Sequence, residues 1–126
     1  MSQTDGHQAI ISRIVANSGG TNIVLPNGPG KSLPRYVVQE AGGMQRTSTL
    51  AGLTDAIPEV VVRVETEAGT YATESNSLVK ALVDIFPPAL RFSGMTVVDA
   101  PDPRPPLPIL DGVYAVPVII RAEFSF

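Results

Sequence analysis

The sequence has no cysteine, no tryptophan and only one histidine, His7, among its 126 residues. The lack of cysteine excludes disulfide bonds, thiolate metal sites and thiol catalysis. A single histidine makes a histidine metal site or a Ser/His/Asp arrangement hard to build, so we expect His7 to be a solvated residue of a frayed N-terminal segment. Aromatic residues make up 6% of the chain, which disfavours base-stacking platforms and aromatic sugar-binding clusters.

Positive charge is also scarce. Nine Lys and Arg stand against twelve Asp and Glu, and the net charge of -3 argues against a surface that wraps nucleic acid. No stretch approaches the length of a membrane span, and the first ten residues lack a basic region followed by an apolar one. We therefore expect a soluble, unexported protein with neither a membrane nor a sequence-specific nucleic acid as partner.

Length and hydrophobic content predict one folded domain over residues 1–126, because 126 residues with 44% hydrophobic content can build one ordinary core. Apolar residues at helical spacing predict a helix from Asp5 to Asn17, ended by Gly19-Gly20. A short strand at Asn22 to Leu25 and a second at Arg35 to Glu40 follow. The pair Gly42-Gly43 predicts a turn into a polar strand, so that residues 40–50 would form a hairpin.

The second half of the chain predicts a sheet packed against another helix. Glu59 to Glu67 alternates valines with charged residues, as in a half-buried strand. A helix ended by Pro87-Pro88 should bury five large side chains, worth about 10 kcal/mol gross. These five are Leu78, Val79, Leu82, Val83 and Phe86. Further strands are predicted at Phe92 to Val98 and at Val113 to Phe126.

A proline-rich loop, Asp99 to Gly112, separates the last two predicted strands and has five prolines in fourteen residues. Such a loop is either a stiff extended arm or a solvated connection, and its proline spacing also resembles a ligand for SH3-type domains. Pro117 cannot donate a ladder hydrogen bond, so the final strand should lie at a sheet edge or be interrupted there. An apolar edge of that kind calls for a partner that covers it, which is a first indication of an assembly protein.

The segment Leu25 to Pro34, LPNGPGKSLP, contains the Gly-Lys-Ser of a phosphate-binding loop. That motif needs a glycine where Leu25 stands and a helix after Ser32, but Leu33 precedes a proline and so favours extended backbone. We interpret the segment as a loop between two strands and expect no nucleotide site.

Carboxylates offer no better catalytic set. Glu65 and Glu67 should lie solvated on the outward face of their strand, with Glu74 nearby in the sequence. Asp99, Asp102 and Asp111 have the character of turn formers. The sequence therefore predicts no catalytic residue, no metal site, no cofactor and no enzymatic activity.

The order of these motifs resembles that of the tail terminator-like, or tail completion, proteins of long-tailed bacteriophages and prophages. The similarity rests on three motifs. The first is a strand, a loop with Pro26-Asn27 and a second strand that begins RYVV at Arg35. The second is the valine-rich strand followed by Gly69 and a helix that ends at Phe86-Pro87, and the third is the final strand GVYAVPV from Gly112. The similarity covers nearly all of residues 5–126. One departure is the glycine-rich Gly28 to Ser32, where the family has phenylalanine and proline.

The resemblance implies an α+β fold with a mixed, mostly antiparallel sheet and two helices packed on one face. It implies a ring-forming virion subunit, hexameric in this family, that caps the tail tube, stops its polymerisation and forms the joint to the head. The implied partners are further copies of the chain, the tail tube protein and the neck proteins, and the implied location is the head-proximal end of the tail after assembly in the bacterial cytoplasm. A head-tail connector or neck protein is the alternative within this class. A small monomeric ligand-binding domain or enzyme is the alternative from another class.

A head-to-tail ring needs two different patches on each subunit. We expect the proline-rich arm and the C-terminal strand edge to supply one patch and the predicted hairpin at residues 40–50 to supply the other. Apolar side chains should contribute most of the binding energy. Asp102 and Arg104 should form charge pairs with a neighbouring subunit or with the tube. The candidate assembly residues are Met44, Arg46, Asp102, Arg104, Leu107, Ile109, Leu110, Phe124 and Phe126.

Overall fold

The computed structural model describes residues 3–47, 54–69 and 72–125. These residues form two helices, α1 at Gln3–Asn17 and α2 at Thr73–Ile85. The strands are, in chain order, β1 Asn22–Val24, β2 Arg35–Thr47, β3 Thr54–Glu67, β4 Arg91–Phe92, β5 Met95–Thr96, β6 Asp102–Pro103, β7 Val113–Arg121 and β8 Phe124–Ser125. The α+β class expected from the sequence is confirmed.

The main sheet has the strand order β1-β2-β3-β7-β6, and β8 adds to the beginning of β3. Among these strands β1 and β2 run parallel and the other neighbours antiparallel, so the sheet is mixed and mostly antiparallel, as predicted. Strands β4 and β5 form a separate two-stranded sheet. The predicted continuous strand from Phe92 to Val98 was wrong, because positive φ angles at Ser93 and Gly94 turn the chain back on itself there.

Both helices pack on one face of the sheet, since the alternating side chains of β2, β3 and β7 share one core with them. This core includes Ile10 and Ile14 of α1, Leu82 of α2 and the valines at 60, 62 and 64 of β3. The Tyr36 hydroxyl donates to the Leu78 carbonyl of α2 at 2.9 Å, and Arg13 Nε of α1 donates to the carbonyl of Ile85 at the end of α2, also at 2.9 Å. These two bonds fasten the helices to the sheet and to each other.

The predicted hairpin over residues 40–50 was wrong in its position. Gly42 and Gly43 lie inside β2, which pairs with β3 on both sides of them: Glu40 faces Val60, and Gly43 faces Pro58. Ala41 and Gly42 stand together opposite Glu59 and form a bulge, and the positive φ angles of Gly42 and Gly43 absorb the register shift. The hairpin is therefore the β2–β3 pair, and residues 48–50 of the predicted polar strand lie outside the described residues.

His7 was expected to be a solvated residue of a frayed segment, and that expectation was wrong. His7 lies in α1, which begins at Gln3, and its side chain is buried. Its Nε2 lies 2.5 Å from the carbonyl oxygen of Gly42. A carbonyl only accepts, so Nε2 carries the hydrogen and donates to the bulge. The Nδ1 atom lies 3.9 Å from Glu40 Oε2. His7 thus braces the β2 bulge against α1.

Candidate assembly surface

The proline-rich arm, residues 99–112, runs along the outer edge of β7. It begins as β6, in which Asp102 faces Ile119 and Pro103 faces Val118. Beyond β6 the pairing continues, because the N–H of Arg104 donates to the Pro117 carbonyl at 2.8 Å and the N–H of Leu107 donates to the Ala115 carbonyl at 2.9 Å. The segment is therefore an ordered edge of the sheet, with β6 as its only regular strand among the described residues.

Pro117 fits this arrangement without loss of a ladder bond to β3. Within a strand, the nitrogen and the carbonyl of one residue point to the same side. The Pro117 carbonyl accepts from Arg104 of the arm, so the nitrogen that lacks a hydrogen also faces the arm. The expected edge position of the final strand at Pro117 was wrong, because β7 lies between β3 and β6 and the arm pairs with it there.

The prediction that the β7 edge lies open for a partner was wrong, since the arm covers that edge. The arm is poor in backbone hydrogen-bond donors because prolines occupy positions 103, 105, 106 and 108. Prolines on an edge discourage the addition of further strands. Contacts through this edge must therefore use side chains.

The arm ends in an apolar tip held by a tight turn. Asp111 and Gly112 have φ values of 53° and 73°, as in a two-residue Asp-Gly turn, and the N–H of Val113 donates to the Leu110 carbonyl at 3.0 Å. The N–H of Ala68, just beyond β3, donates to the Gly112 carbonyl at 2.8 Å. The side chains of Ile109 and Leu110, which we call the arm tip, are 61% and 73% exposed. Large aliphatic groups are thus presented to solvent on a fixed backbone.

The outer face of the sheet, opposite the helices, carries a buried carboxylate beside the arm. Glu65 is only 6% exposed. Its Oε1 accepts from Arg35 Nε at 2.6 Å and its Oε2 accepts from Arg63 Nε at 3.1 Å. The expectation of a solvated Glu65 was wrong, because strand register places it directly opposite Arg35 and because Arg63 lies two residues away on the same face.

A cavity of about 380 Å³ lies between the arm and this charged cluster. Aliphatic side chains form most of its wall, and the two arginines and Glu65 lie at its charged side. The residues that line it are Arg35, Arg63, Glu65, Leu107, Pro108, Leu110, Asp111, Val113 and Ala115. In residues 3–47, 54–69 and 72–125, no group of three or more His, Cys, Asp and Glu is arranged to hold a metal ion.

The Gly-Lys-Ser segment is a loop between β1 and β2, as predicted. The loop leads into strand β2 at Arg35 rather than into a helix. It is held through its carbonyls: Arg35 Nη1 donates to the Lys31 carbonyl at 2.6 Å, and Asn22 Nδ2 donates to the Ser32 carbonyl at 3.0 Å. A phosphate-binding loop instead gathers amides at the start of a helix.

The other predicted assembly residues are spread over the molecule. Asp102 and Arg104 are exposed on the arm and lie 3.4 Å from each other, so the contact seen for each is within the chain. Met44 and Arg46 lie in the distal half of β2, opposite Ile57 and Asp55 of β3.

The two aromatic assembly candidates near the C-terminus are Phe124 and Phe126. Phe124 was placed wrongly on the surface, since its side chain is 5% exposed and belongs to the core. Phe126 lies outside the described residues.

None of the described helices is long and apolar enough to cross a membrane.

Comparison with known proteins identifies the fold. No family model matches the sequence, and no curated protein matches it. A solved structure of a protein with no stated function has a TM-score of 0.66 at 18% identity, over 100% of this chain and 97% of that one. A chain from the virion of a native gene transfer agent particle has a TM-score of 0.63 at 16% identity, over 95% of this chain and 94% of that one. The fold is therefore shared along nearly the whole length of both.

Proposed function

We propose that this chain is a structural subunit of a phage-like virion and, more specifically, a tail terminator. The observation that carries the proposal is the fold similarity to a chain from a gene transfer agent virion, which extends over 95% of this chain. The motif order described above points the same way. A likeness that extends over nearly the whole chain supports a common architecture better than one limited to a single motif.

In this role the subunit forms a ring, expected to be hexameric, on the last ring of the tail tube. The ring stops tube polymerisation and presents a surface to the neck proteins at the head-proximal end. Ring closure needs a head-to-tail interface made of two different patches. The arm provides one such patch, because its exposed aliphatic side chains, Leu107, Ile109 and Leu110, sit on a backbone that β7 holds in place.

A head-tail connector or neck protein is the second candidate, since the similarity to a virion chain supports any structural position in the particle. The two candidates differ in where the subunit lies. A terminator contacts the tube end and limits its length, whereas a neck protein joins the head to a tail of already fixed length.

Deletion of the gene in a phage that encodes this chain separates the candidates. Overlong tube polymers and headless particles are expected for a terminator. Heads and normal-length tails that fail to join would favour the neck role, and normal infectious virions would contradict both. Electron microscopy of particles with the subunit labelled then locates it, with a label at the head-proximal tail end as the expected result.

A small-molecule role makes a different prediction. The cavity between the arm and Arg35 would then bind a ligand, and ligands such as ATP would raise the melting temperature of the purified monomer. We expect no such shift. A dose-dependent increase with a nucleotide would favour a ligand-binding domain or enzyme instead.

A further inference from the structure

The part of the arm from Asp102 to Pro108 has a backbone that its sequence fixes as extended. Every residue in it is a proline or stands directly before one. Proline holds its own φ at about −65° and restricts the residue before it to extended or polyproline II geometry. None of these residues has a positive φ. The segment is therefore stiff, and its shape exists before any partner binds.

This segment uses all of its backbone donors on β7. Four of the six residues at 103–108 are prolines, so only Arg104 and Leu107 carry an N–H. Both N–H groups donate to carbonyls of β7, at 2.8 Å and 2.9 Å. Within the part of the chain that the structure describes, the carbonyls of residues 104–108 accept no hydrogen bond. The free side of the segment thus offers acceptors and no backbone donor.

The same side presents apolar rings. Pro105 and Pro106 are exposed and do not line the cavity beside Arg35. We call residues 103–108 the proline ridge. Its combination of proline rings, open carbonyls and preformed extended backbone is what aromatic-lined grooves recognise, because flat rings pack on prolines and Trp N–H or Tyr O–H groups donate to the carbonyls.

The described residues of this chain do not supply such a groove. The chain has no tryptophan, and none of the aromatic side chains in residues 3–47, 54–69 and 72–125 is exposed. Three of them are buried and two are half-buried: Tyr36, Phe86 and Phe124, and Phe92 and Tyr114. The chemistry that fits the ridge therefore belongs to a different protein.

We propose that the proline ridge docks into a groove lined by Trp or Tyr side chains on a protein other than this chain. Because the ridge is already extended and held by β7, little conformational entropy is lost when it binds. The proposal goes beyond the proposed function and does not rest on the ring, since the ridge and the arm tip are different residues of the arm.

Photocrosslinking tests the partner directly. Benzoylphenylalanine replaces Arg104, whose side chain is 55% exposed, so all prolines and both N–H groups of the ridge remain. The full chain is expressed and irradiated in cells that produce the phage or phage-like particle. Mass spectrometry should find a product with a different protein, joined at a peptide that contains Trp or Tyr. The same label at Val15, which is 48% exposed on α1, should not give this product.

Three results of this experiment would overturn the proposal. They are crosslinking from Arg104 only to copies of this chain, a joined surface without Trp or Tyr, and no product above the yield at Val15. Each would show that the ridge does not meet an aromatic groove on another protein.

A second proline pair in the chain provides the matched control. Pro105→Ala with Pro106→Ala, in the labelled chain, should lower the crosslink yield by about tenfold, because the ridge loses its rings and its stiffness. Pro87→Ala with Pro88→Ala should leave the yield unchanged. This pair is also exposed, but it lies in a turn in which the Leu90 N–H donates to the Pro87 carbonyl. Equal yields from the two double variants, both folded by circular dichroism, would reject the ridge.

The outcomes also separate this proposal from the proposed function. Overlong tails after gene deletion, without a crosslink from Arg104 to another protein, would reject the ridge and leave the terminator role intact. A crosslink to an aromatic groove, together with normal virions after gene deletion, would keep the ridge and reject the role.

Discussion

The backbone N–H of Leu107 donates to the carbonyl oxygen of Ala115 at 2.9 Å, and this bond fastens the arm to β7 between β6 and the arm tip. Leu107→Pro removes the donor, and Leu107→Ala keeps it while shortening the same side chain. We expect the proline variant to be less stable than the alanine variant by about 1 kcal/mol, the net value of one hydrogen bond. Urea unfolding measures the difference.

Hydrogen exchange of the neighbouring Arg104 amide provides the second readout for Leu107→Pro. If the bond holds the arm, the Arg104 amide should exchange faster in the proline variant than in the alanine variant. Equal stability and equal exchange in the two variants would show that the arm is held by other contacts.

Glu65 is the buried partner of two arginines, so Glu65→Gln should cost more than the loss of an exposed pair. Hydrogen bonds to charged groups contribute about 1.5–3 kcal/mol, and the arginine side chains are 26% and 29% exposed, which reduces that figure through solvent screening. We expect a loss of about 1–2 kcal/mol in the free energy of unfolding. Glu59→Gln is the matched control, since Glu59 pairs with half-exposed Arg121 at 2.9 Å, and should cost at most about 1 kcal/mol. Similar losses in both variants would contradict a special role for Glu65.

The sequence predicted the helices and the central strand well because their signals are local. Apolar residues at helical spacing marked α1 and α2, and alternation marked β3. Of the five side chains predicted to be buried, Leu82 and the C-cap residue Phe86 are buried, whereas Leu78, Val79 and Val83 are only partly buried. Ile85 was missed as a core residue, although its spacing of three residues from Leu82 and seven from Leu78 places it on the same buried face of the helix.

The errors have a common physical cause, which is pairing between residues distant in sequence. The Gly42-Gly43 pair looks like a turn until its partner strand is known, since a bulge and a turn use the same positive φ angles. Glu65 looks solvated because its strand alternates, yet Arg35, thirty residues earlier, pairs with it. His7 gave no signal at all, because its hydrogen bond to Gly42 spans two elements.

The course of the arm was predicted in part. The proline content marked residues 99–112 as an extended arm, and the exposed Leu107, Ile109 and Leu110 lie on it. That the same arm covers the β7 edge could not be predicted from sequence, because strand order is a tertiary property.

Gly43 tests the bulge. Its φ is +133°, and a Cβ at this position would collide with the carbonyl oxygen of Ile57. Gly43→Ala should therefore lower the free energy of unfolding by about 1–3 kcal/mol. Gly30→Ala is the control, because its φ is not positive and a Cβ added there would meet no atom of the described residues within 4 Å; we expect a change within about 0.5 kcal/mol. Equal effects in urea unfolding would argue against strain at the bulge.

Tyr36 should make stability fall at alkaline pH. Burial raises the pKa of its hydroxyl above the ordinary 10.0, so the folded state holds the proton more tightly than the unfolded state does. The resulting stability is complete below the unfolded pKa and is lost as pH rises through the folded pKa. Tyr36→Phe removes this dependence, together with the 2.9 Å bond to Leu78, at a cost of about 1 kcal/mol near neutral pH. Urea unfolding from about pH 8 to about pH 11 should show a shallower alkaline decline in the variant, and an unchanged slope would exclude Tyr36 as its source.

Replacement of Leu107, Ile109 and Leu110 by serine tests the arm as an assembly surface. These side chains are 41%, 61% and 73% exposed, so the fold should lose little stability while a partner loses its apolar anchors. Anchors of this kind contribute about 2 kcal/mol or more each at the centre of an interface, and self-association should weaken by well over tenfold. Val15→Ser with Leu25→Ser, at 48% and 43% exposure elsewhere on the molecule, should leave association unchanged. Sedimentation at several concentrations and counts of subunits incorporated into virions provide the measurements. Unchanged assembly of the triple variant, with both readouts intact, would exclude the arm from the interface.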